Sequence, residues 1–546
     1  MAIKISALPV GSKPPYTGDE LVALVEDPRG TANTTRASLS SAMTYLSGAT
    51  DGAGAPVLAA RLKNNFFNAD QTAHCTLTVE GTLSGSSNFI VGTNITYCTP
   101  TLGSVGGGTA HCIGGSYSTI GGGRDNCTTS NCVTIGGGCG NISSGASVTI
   151  GGGASNLATG TEGTIGGGSG NYIEGSNATI GGGCINGAPG AYSTVSGGCT
   201  LSAIGAHSAV LGGLSGCAIG CASTLGGGAC NVVGGTYSVV NGGCTNTTTK
   251  DFAVIGGGVT NTASGTCANV GGGCGNTASA ANTTVGGGKG NTSSGTCATI
   301  GGGCNNTASG TNTFIGAGMG NTASANRATI VGGYGNTAAG VRAFIGGGQS
   351  NCATSADSTV GGGNSNCALA TGGFVGGGVG NCVTGTCATV GGGNSNCALA
   401  NCSNITGGRT NHISCDGTDA AVGGGNCNCI TVCYGTIGGG ESNAITSKYG
   451  IVVGGCGNSV SDNSYATIVG GCGNSSCGVG YSFIGGGKKN SVTHTGASIV
   501  GSDISSVGND IFHTKCLYLS AAALPTSDPG VAGVVWRSGC DLKISL

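Results

Sequence analysis

The chain has 546 residues and a net charge of −2, and only 7% of its residues are charged, against about 25% in an ordinary soluble domain. Such a composition lacks the positive charge that draws proteins to nucleic acid or to an anionic membrane surface, and no segment approaches the about 20 apolar residues of a membrane-spanning helix. We therefore expect no nucleic-acid partner and no membrane insertion. The 120 glycines and 31 cysteines are the excesses that need an explanation.

The first 45 residues differ in composition from the rest of the chain. The first six have no apolar core of signal-peptide length, so we expect synthesis in a cytoplasm. The stretches at 4–9, 19–25 and 34–39 resemble the N-terminal element of fibre and other virion proteins of tailed bacteriophages. The resemblance implies that residues 1–45 attach the chain to other virion proteins. We assign residues 46–89 to a connector or trimerisation region.

Residues 90–507 form a repeat in which an aliphatic residue is followed by glycine-rich sequence. The interval is 15 residues as far as Ile405, then 17 residues to Val422, and 15 or 16 after that. A short fixed period predicts a solenoid, whose stacked coils bury a shared core. The 28 anchor residues are Ile90, Val105, Ile120, Ile135, Ile150, Ile165, Ile180, Val195, Val210, Leu225, Val240, Ile255, Val270, Val285, Ile300, Ile315, Ile330, Ile345, Val360, Val375, Val390, Ile405, Val422, Ile437, Val452, Ile468, Ile484 and Ile499.

One coil, residues 297–311, shows the local pattern. Ala298 and Ile300 alternate with Thr299, as in a half-buried strand. The glycines at 301–303 permit a corner, and residues 306–310 predict a second short strand that ends in a turn. Each coil is thus predicted to have two strands and two corners. At about 4.8 Å per coil, the repeat predicts an all-β, parallel β-roll or β-solenoid rod of roughly 130 Å.

Two positions of the coil carry repeated polar or sulfur-bearing side chains. Asparagine recurs six residues after most anchors, and stacked amides can hydrogen-bond along the axis, as in cross-β assemblies. Cysteine occupies the seventh position in four consecutive coils, at Cys352, Cys367, Cys382 and Cys397, whereas threonine fills it from Thr247 to Thr337. Free buried thiols that fill the core are one interpretation, and disulfides between coils are the other. Parallel Cβ directions fit a disulfide poorly, which favours thiols.

The size of the anchor residues bears on assembly. Burying one isoleucine side chain contributes about 1.5–3 kcal/mol, whereas ordering 15 residues costs about 1 kcal/mol or more for each. One large apolar residue per coil therefore predicts association through a second apolar face, as a homotrimer.

The run from Ala298 to Gly310 resembles the head repeats of trimeric autotransporter adhesins, which form a left-handed parallel β-roll shared by three chains. The resemblance covers residues 90–507 and implies a trimer with an adhesive role. This chain departs from the pattern in having a longer coil, a triple glycine and many cysteines.

The last part of the chain also differs from the repeat. Residues 524–536 resemble a short C-terminal segment common in phage structural proteins, and we assign residues 508–546 to a C-terminal tip or cap. Assembly in a reducing cytosol agrees with free thiols.

Chemical sites are sparse in the sequence. The carboxylates Asp125, Glu162 and Glu174 are scattered, so we expect no enzyme, and a depolymerase spike would need a carboxylate cluster. A zinc or iron site is conceivable around the insertion after Ile405, but the spacing matches no C-x₂-C pair, and thiols or disulfides are the preferred interpretation. The weak metal candidates are His412, Cys415, Cys427, Cys429 and Cys433. We predict no catalytic residue and no cofactor.

Taken together, these patterns predict a structural fibre of a bacteriophage virion, on the tail, neck or capsid. It would be made in the host cytoplasm and would mediate adhesion to a host cell-surface receptor, for which a glycan is one candidate. The alternative is a bacterial surface adhesin or an extracellular filament subunit.

Overall fold

The computed structural model describes residues 102–514 apart from 463, 464 and 479, and a few short segments outside that range. In this part of the chain the only regular secondary structure is β, and it forms a parallel β-solenoid of about 27 coils without a helix. The predicted all-β fold of stacked 15-residue coils is confirmed. The chain divides into two compact units, Met1–Cys244 and Thr245–Leu546, which are built from the same coil.

Each coil contributes to three parallel ladders. In the coil that begins at Thr299–Ile300, this strand belongs to the anchor ladder, and Thr307–Ala308 belongs to the second ladder. Between them Cys304 pairs as a single residue with Lys289 and Met319, the equivalent positions of the coils before and after. This bridge ladder is a third contact line that the predicted coil of two strands and two corners did not include.

In the first unit the strands of both main ladders are two residues long and pair in parallel with the coil before and after. The anchor ladder contains Phe89–Ile90, Ser104–Val105, Thr119–Ile120, Thr134–Ile135, Thr149–Ile150, Thr164–Ile165, Thr179–Ile180, Thr194–Val195, Ala209–Val210, Thr224–Leu225 and Val239–Val240. The second ladder contains Thr96–Tyr97, Cys112–Ile113, Cys127–Thr128, Ile142–Ser143, Leu157–Ala158, Tyr172–Ile173, Gly187–Ala188, Ser202–Ala203, Cys217–Ala218 and Val232–Val233. Ser6–Ala7 and Thr35–Arg36 form a separate antiparallel pair.

The second unit repeats this arrangement. Its anchor ladder contains Val254–Ile255, Asn269–Val270, Thr284–Val285, Thr299–Ile300, Phe314–Ile315, Thr329–Ile330, Phe344–Ile345, Thr359–Val360, Phe374–Val375, Thr389–Val390, Asn404–Ile405, Ala421–Val422, Thr436–Ile437, Ile451–Val452, Thr467–Ile468, Phe483–Ile484, Ser498–Val500 and Phe512–Thr514. Its second ladder contains Thr247–Thr248, Thr262–Ala263, Thr277–Ala278, Thr292–Ser293, Thr307–Ala308, Thr322–Ala323, Thr337–Ala338, Cys352–Ala353, Cys367–Ala368, Cys382–Val383, Cys397–Ala398, His412–Ile413, Cys429–Ile430, Ala444–Ile445, Ser459–Val460, Ser475–Ser476 and Ser491–Val492. Val535–Ser538 and Asp541–Ile544 form an antiparallel pair.

The core closes within one chain. In the same coil Ala298, Ile300, Asn306 and Ala308 are all 0% exposed. The expectation that one large apolar residue per coil leaves the core open was wrong, because a small apolar residue from each side and a buried asparagine complete it. Burial of the anchors therefore does not by itself require a second chain.

The asparagine ladder holds successive coils together through both ends of its amide. The Nδ2 of Asn306 donates to the carbonyl oxygens of Gly302 (3.0 Å) and Gly318 (2.9 Å), and its Oδ1 accepts the backbone N–H of Asn321 at 2.9 Å. The predicted amide-to-amide bond is also present, since Nδ2 of Asn321 lies 3.1 Å from Oδ1 of Asn306. A buried polar group satisfied at each of its atoms stabilises the core instead of weakening it.

A glycine occurs three residues after each anchor from Val105 to Ile484. Gly303 has φ +93°, and a Cβ at this position would lie 2.0 Å from the carbonyl oxygen of Gly318. A Cβ added to the preceding Gly302 would meet no atom within 4 Å. Close approach between coils thus explains the third glycine of the triplet.

All three irregular intervals in the anchor repeat fall in one corner of the coil. The two extra residues before Val422 lie in the turns between Ile413 and Ala421, and Asn404 still pairs with Ala421. The single extra residues of the later long coils lie between Val460 and Thr467 and between Ser476 and Phe483. The register of both flanking ladders is unchanged at all three places. The corner after the second ladder therefore accommodates insertions.

Candidate functional site

The most concentrated set of reactive side chains lies on the outward face of the second ladder. Six consecutive coils place a cysteine or histidine at the first residue of the strand, and we call this set the thiol column. Strand pairing sets each member directly beside the next one along the ladder. The members are Cys352, Cys367, Cys382, Cys397, His412 and Cys429.

The structure places these side chains differently from the sequence prediction. The core position is the second residue of each strand, where Ala353 and Val383 are 0% exposed. The thiols one residue earlier are half-buried, so they are not core fillers. All five cysteines of the column are free thiols.

Partial burial changes the acidity of the column. The pKa of the Cys382 thiol is raised to about 11, mainly by desolvation and also by the neighbouring Cys397 and Cys367 thiols. Burial also raises the pKa of Cys352, with a further contribution from Cys367. The same cause raises the pKa of Cys397 and Cys429. These groups are therefore protonated at neutral pH and are poor nucleophiles.

The weak metal candidates around the insertion are only partly brought together. His412 and Cys429 are neighbours in the column, with Nδ1 and Sγ 4.0 Å apart. Cys427 is exposed, and its thiol donates to Oδ1 of Asn426 at 3.4 Å. The other two candidates, the exposed Cys415 and the half-buried Cys433, lie in the corner after the second ladder. Over the described residues, no group of three or more His, Cys, Asp or Glu side chains is arranged to hold one metal ion.

The three scattered carboxylates occupy three different positions of the coil. Asp125 is exposed and pairs with its neighbour Arg124 at 3.2 Å, while the exposed Glu162 accepts a hydrogen bond from Asn177. Glu174 is exposed on another face. They offer no pair flanking a common space.

A second exposed feature is a column of stacked tyrosines at one corner of the second unit. The rings of Tyr434, Tyr449, Tyr465 and Tyr481 lie nearly parallel, with successive centroids 4.9, 4.8 and 5.1 Å apart. All four residues have positive φ, which is strained for a bulky side chain. We call this set the tyrosine column. The tyrosines do not share one offset from the anchors, because Tyr434 and Tyr449 lie 12 residues after theirs and Tyr465 and Tyr481 lie 13, so the periodicity of the sequence does not reveal the column.

A buried histidine proves to be structural. His111 takes the asparagine position and is 1% exposed. Its Nδ1 accepts the backbone N–H of Asn126 at 3.2 Å, so Nε2 carries the hydrogen that it donates to the carbonyl of Gly107 at 3.0 Å. The imidazole thus reproduces two of the contacts of an asparagine, those with the residue four before it and with the next coil.

No protein-family model matches this chain, and a comparison with curated proteins finds no significant match either. In the described part of the chain, no helix has the length and apolarity needed to span a bilayer.

Proposed function

We propose that this chain is a structural fibre of a bacteriophage virion, which projects from the particle and mediates adhesion to the host surface. The observation that carries the proposal is the separation of core from surface in every regular coil. Anchor, asparagine and glycine positions repeat, whereas the outward position of the second ladder changes from Thr337 to Cys352 to His412 without altering the pairing. Such a lattice supports a variable surface over many coils, as an adhesive fibre needs.

The virion assignment rests on the resemblances at the two ends of the chain. Residues 524–536 lie almost wholly outside the described residues, as does the segment 1–45 apart from the Ser6–Ala7 and Thr35–Arg36 pair. Deletion of residues 1–45 should leave a folded, soluble protein that no longer joins the particle. Incorporation of the truncated chain at the normal level would overturn this assignment.

The homotrimer is part of the same proposal. Because the core closes within one chain, the contact between chains must lie on the outer surface of the coils. Phe314, Phe344 and Phe374 are exposed on the outer face of the anchor ladder, where they alternate with threonines. An exposed apolar row of this kind favours contact with another chain. Light scattering on the purified protein should give about three times the 51.4 kDa chain mass. A stable folded monomer would overturn the trimer.

The tyrosine column supports the adhesive role. Tyrosine combines apolar area with a hydroxyl and is enriched at protein interfaces. Asn282 and Asn312 occupy the same turn position with positive φ in other coils, so Tyr449→Asn and Tyr465→Asn preserve the corner. Particles with this double variant should adsorb to host cells more slowly, while Phe252→Asn, at the equivalent turn position outside the column, should leave adsorption unchanged. Unchanged adsorption of the double variant would exclude this surface.

A further inference from the structure

We propose that the thiol column binds soft, two-coordinate cations of the Cu(I) type, each held between side chains of neighbouring coils. The proposal does not depend on the adhesive role. It rests on the register, the spacing and the chemistry of the column.

The spacing of the coils matches the length of a metal–thiolate bridge. Cys352 pairs in register with Cys367, and Cys382 pairs with Cys397, so each pair of sulfurs starts from adjacent strands. Adjacent strands lie about 4.7–4.9 Å apart. A cation midway between two such sulfurs is about 2.4 Å from each, close to the about 2.3 Å of an ordinary zinc–thiolate bond.

The end of the column supplies a mixed pair with a measured separation. His412 Nδ1 and Cys429 Sγ are 4.0 Å apart. One metal bonded to an imidazole nitrogen and a thiolate spans about 4.3–4.4 Å when the three atoms are in line, and less when they are bent. Of the five neighbouring pairs in the column, three can be occupied at once without sharing a side chain: Cys352 with Cys367, Cys382 with Cys397, and His412 with Cys429.

The number of ligands that the column can offer to one cation determines which cation it binds. Zinc in structural sites takes four tetrahedral ligands. Over the described residues, no three potential ligands converge on one point, and the column is a single file along one face. Thiolate sulfur is the preferred ligand of Cu(I), which is satisfied by two donors. The geometry thus favours Cu(I) over Zn²⁺.

Binding at a sulfur pair is coupled to proton release. One Cu⁺ and two thiols give a bis-thiolate complex of charge −1 and two protons, with no change of oxidation state. Because burial keeps the thiols protonated at neutral pH, affinity at these pairs should rise with pH. The metal is supplied from solution as Cu(I), so the step needs no reductant.

The chain provides its own matched variants. Threonine occupies the column position in seven consecutive coils from Thr247 to Thr337, so replacing the four cysteines by threonine preserves the local fold. Cysteine is also paired elsewhere, as at Cys184 with Cys199, so the test measures a difference in capacity between variants. The control replaces by serine four cysteines that have no cysteine in the same position of the neighbouring coils: Cys267, Cys274, Cys297 and Cys304.

The experiment is anaerobic titration of the full chain with Cu(I) against a competing chelator, read by native mass spectrometry. The variant with Cys352→Thr, Cys367→Thr, Cys382→Thr and Cys397→Thr should bind about two cations fewer than the parent, one for each lost pair. The control with four serines should retain the parent capacity. The simpler variant Cys367→Thr with Cys397→Thr breaks both pairs and should lose the same two cations, which guards against an effect of misfolding.

Equal capacity of the parent and the column variants would overturn the proposal. An equal loss in the serine control would overturn it as well, because binding would then follow the number of thiols and not their pairing. Zn²⁺ that displaces Cu(I) from the column at equal concentration would contradict the two-coordinate geometry.

Discussion

The side-chain oxygen of Asn291 accepts a hydrogen bond from the backbone N–H of Asn306, one coil further along, at 3.0 Å. The same contact recurs between Asn306 and Asn321 at 2.9 Å. At this position of the coil the backbone N–H donates to a side-chain oxygen of the preceding coil, and not to a backbone carbonyl. The cohesion between coils therefore depends on buried amides as well as on the aliphatic anchors.

Replacing Asn306 by alanine should loosen the coils on both sides. The carbonyl of Gly302 and the N–H of Asn321 would lose their partner, whereas the carbonyl of Gly318 keeps the backbone N–H of Cys304, and each buried unsatisfied group costs about 1–3 kcal/mol. Hydrogen exchange of the amides around residue 306 should accelerate by at least about tenfold, since about 1.4 kcal/mol is a factor of ten. Thr311→Ala, at an exposed position of the same coil, should leave exchange unchanged. Equal protection in both variants would show that the amide ladder contributes little.

Replacement by alanine should destabilise the protein at Gly303 but not at the neighbouring Gly302 of the same corner. Gly303→Ala places a Cβ 2.0 Å from a carbonyl oxygen of the next coil at φ +93°, so we expect a loss of more than about 2 kcal/mol. Gly302→Ala meets nothing within 4 Å and should be tolerated. Limited proteolysis of the two variants gives the comparison, and cleavage at similar rates would contradict the close approach of the coils.

The thiol column should contribute no covalent bond between coils. Reductant should leave the melting temperature of the protein nearly unchanged, because threonine serves in the same position elsewhere and the column cysteines are free. A disulfide would instead contribute about 2–4 kcal/mol that reductant removes. A large drop in melting temperature, traced by mass spectrometry to Cys352, Cys367, Cys382 or Cys397, would refute free thiols.

The reactivity of Cys382 should depend steeply on pH. Because its pKa is raised to about 11, the thiolate fraction at pH 7 is about 10⁻⁴, and it grows about tenfold per pH unit up to pH 10. Alkylation by iodoacetamide, followed by peptide mass spectrometry, should show that slope. The same cysteine in the urea-unfolded chain should reach half of its maximal alkylation rate near about pH 8.5. A half-maximal rate at that lower pH in the folded protein would mean that the thiol is not desolvated.

The sequence predicts the repeat, the anchors and the asparagine ladder because these depend on local periodicity. Ile300 is identified by its alternation with Thr299, and Asn306 by its fixed offset. The bridge ladder escapes such reasoning, since Cys304 pairs as one isolated residue and leaves no alternation in the sequence.

The outward direction of the thiol column was also missed, although a signal was present. Each column residue precedes an apolar residue such as Ala353 or Val383, and successive residues of a strand face opposite sides. Threonine and cysteine both occur in cores and on surfaces, so residue type alone does not show whether the column position faces the core or the solvent. The position of the inserted residues in the three irregular intervals also required the structure. Only the strand register shows that all of them lie in one corner of the coil.

Immunogold electron microscopy of virus particles, purified from the culture that produces this chain, is the most direct test of the fibre function. An antibody against the coils of the second unit should label structures that project from the particles, and label should disappear from particles that carry the chain without residues 1–45. Gold on the surface of uninfected bacterial cells, with bare particles, would contradict a virion fibre and identify the chain as a cell-surface protein.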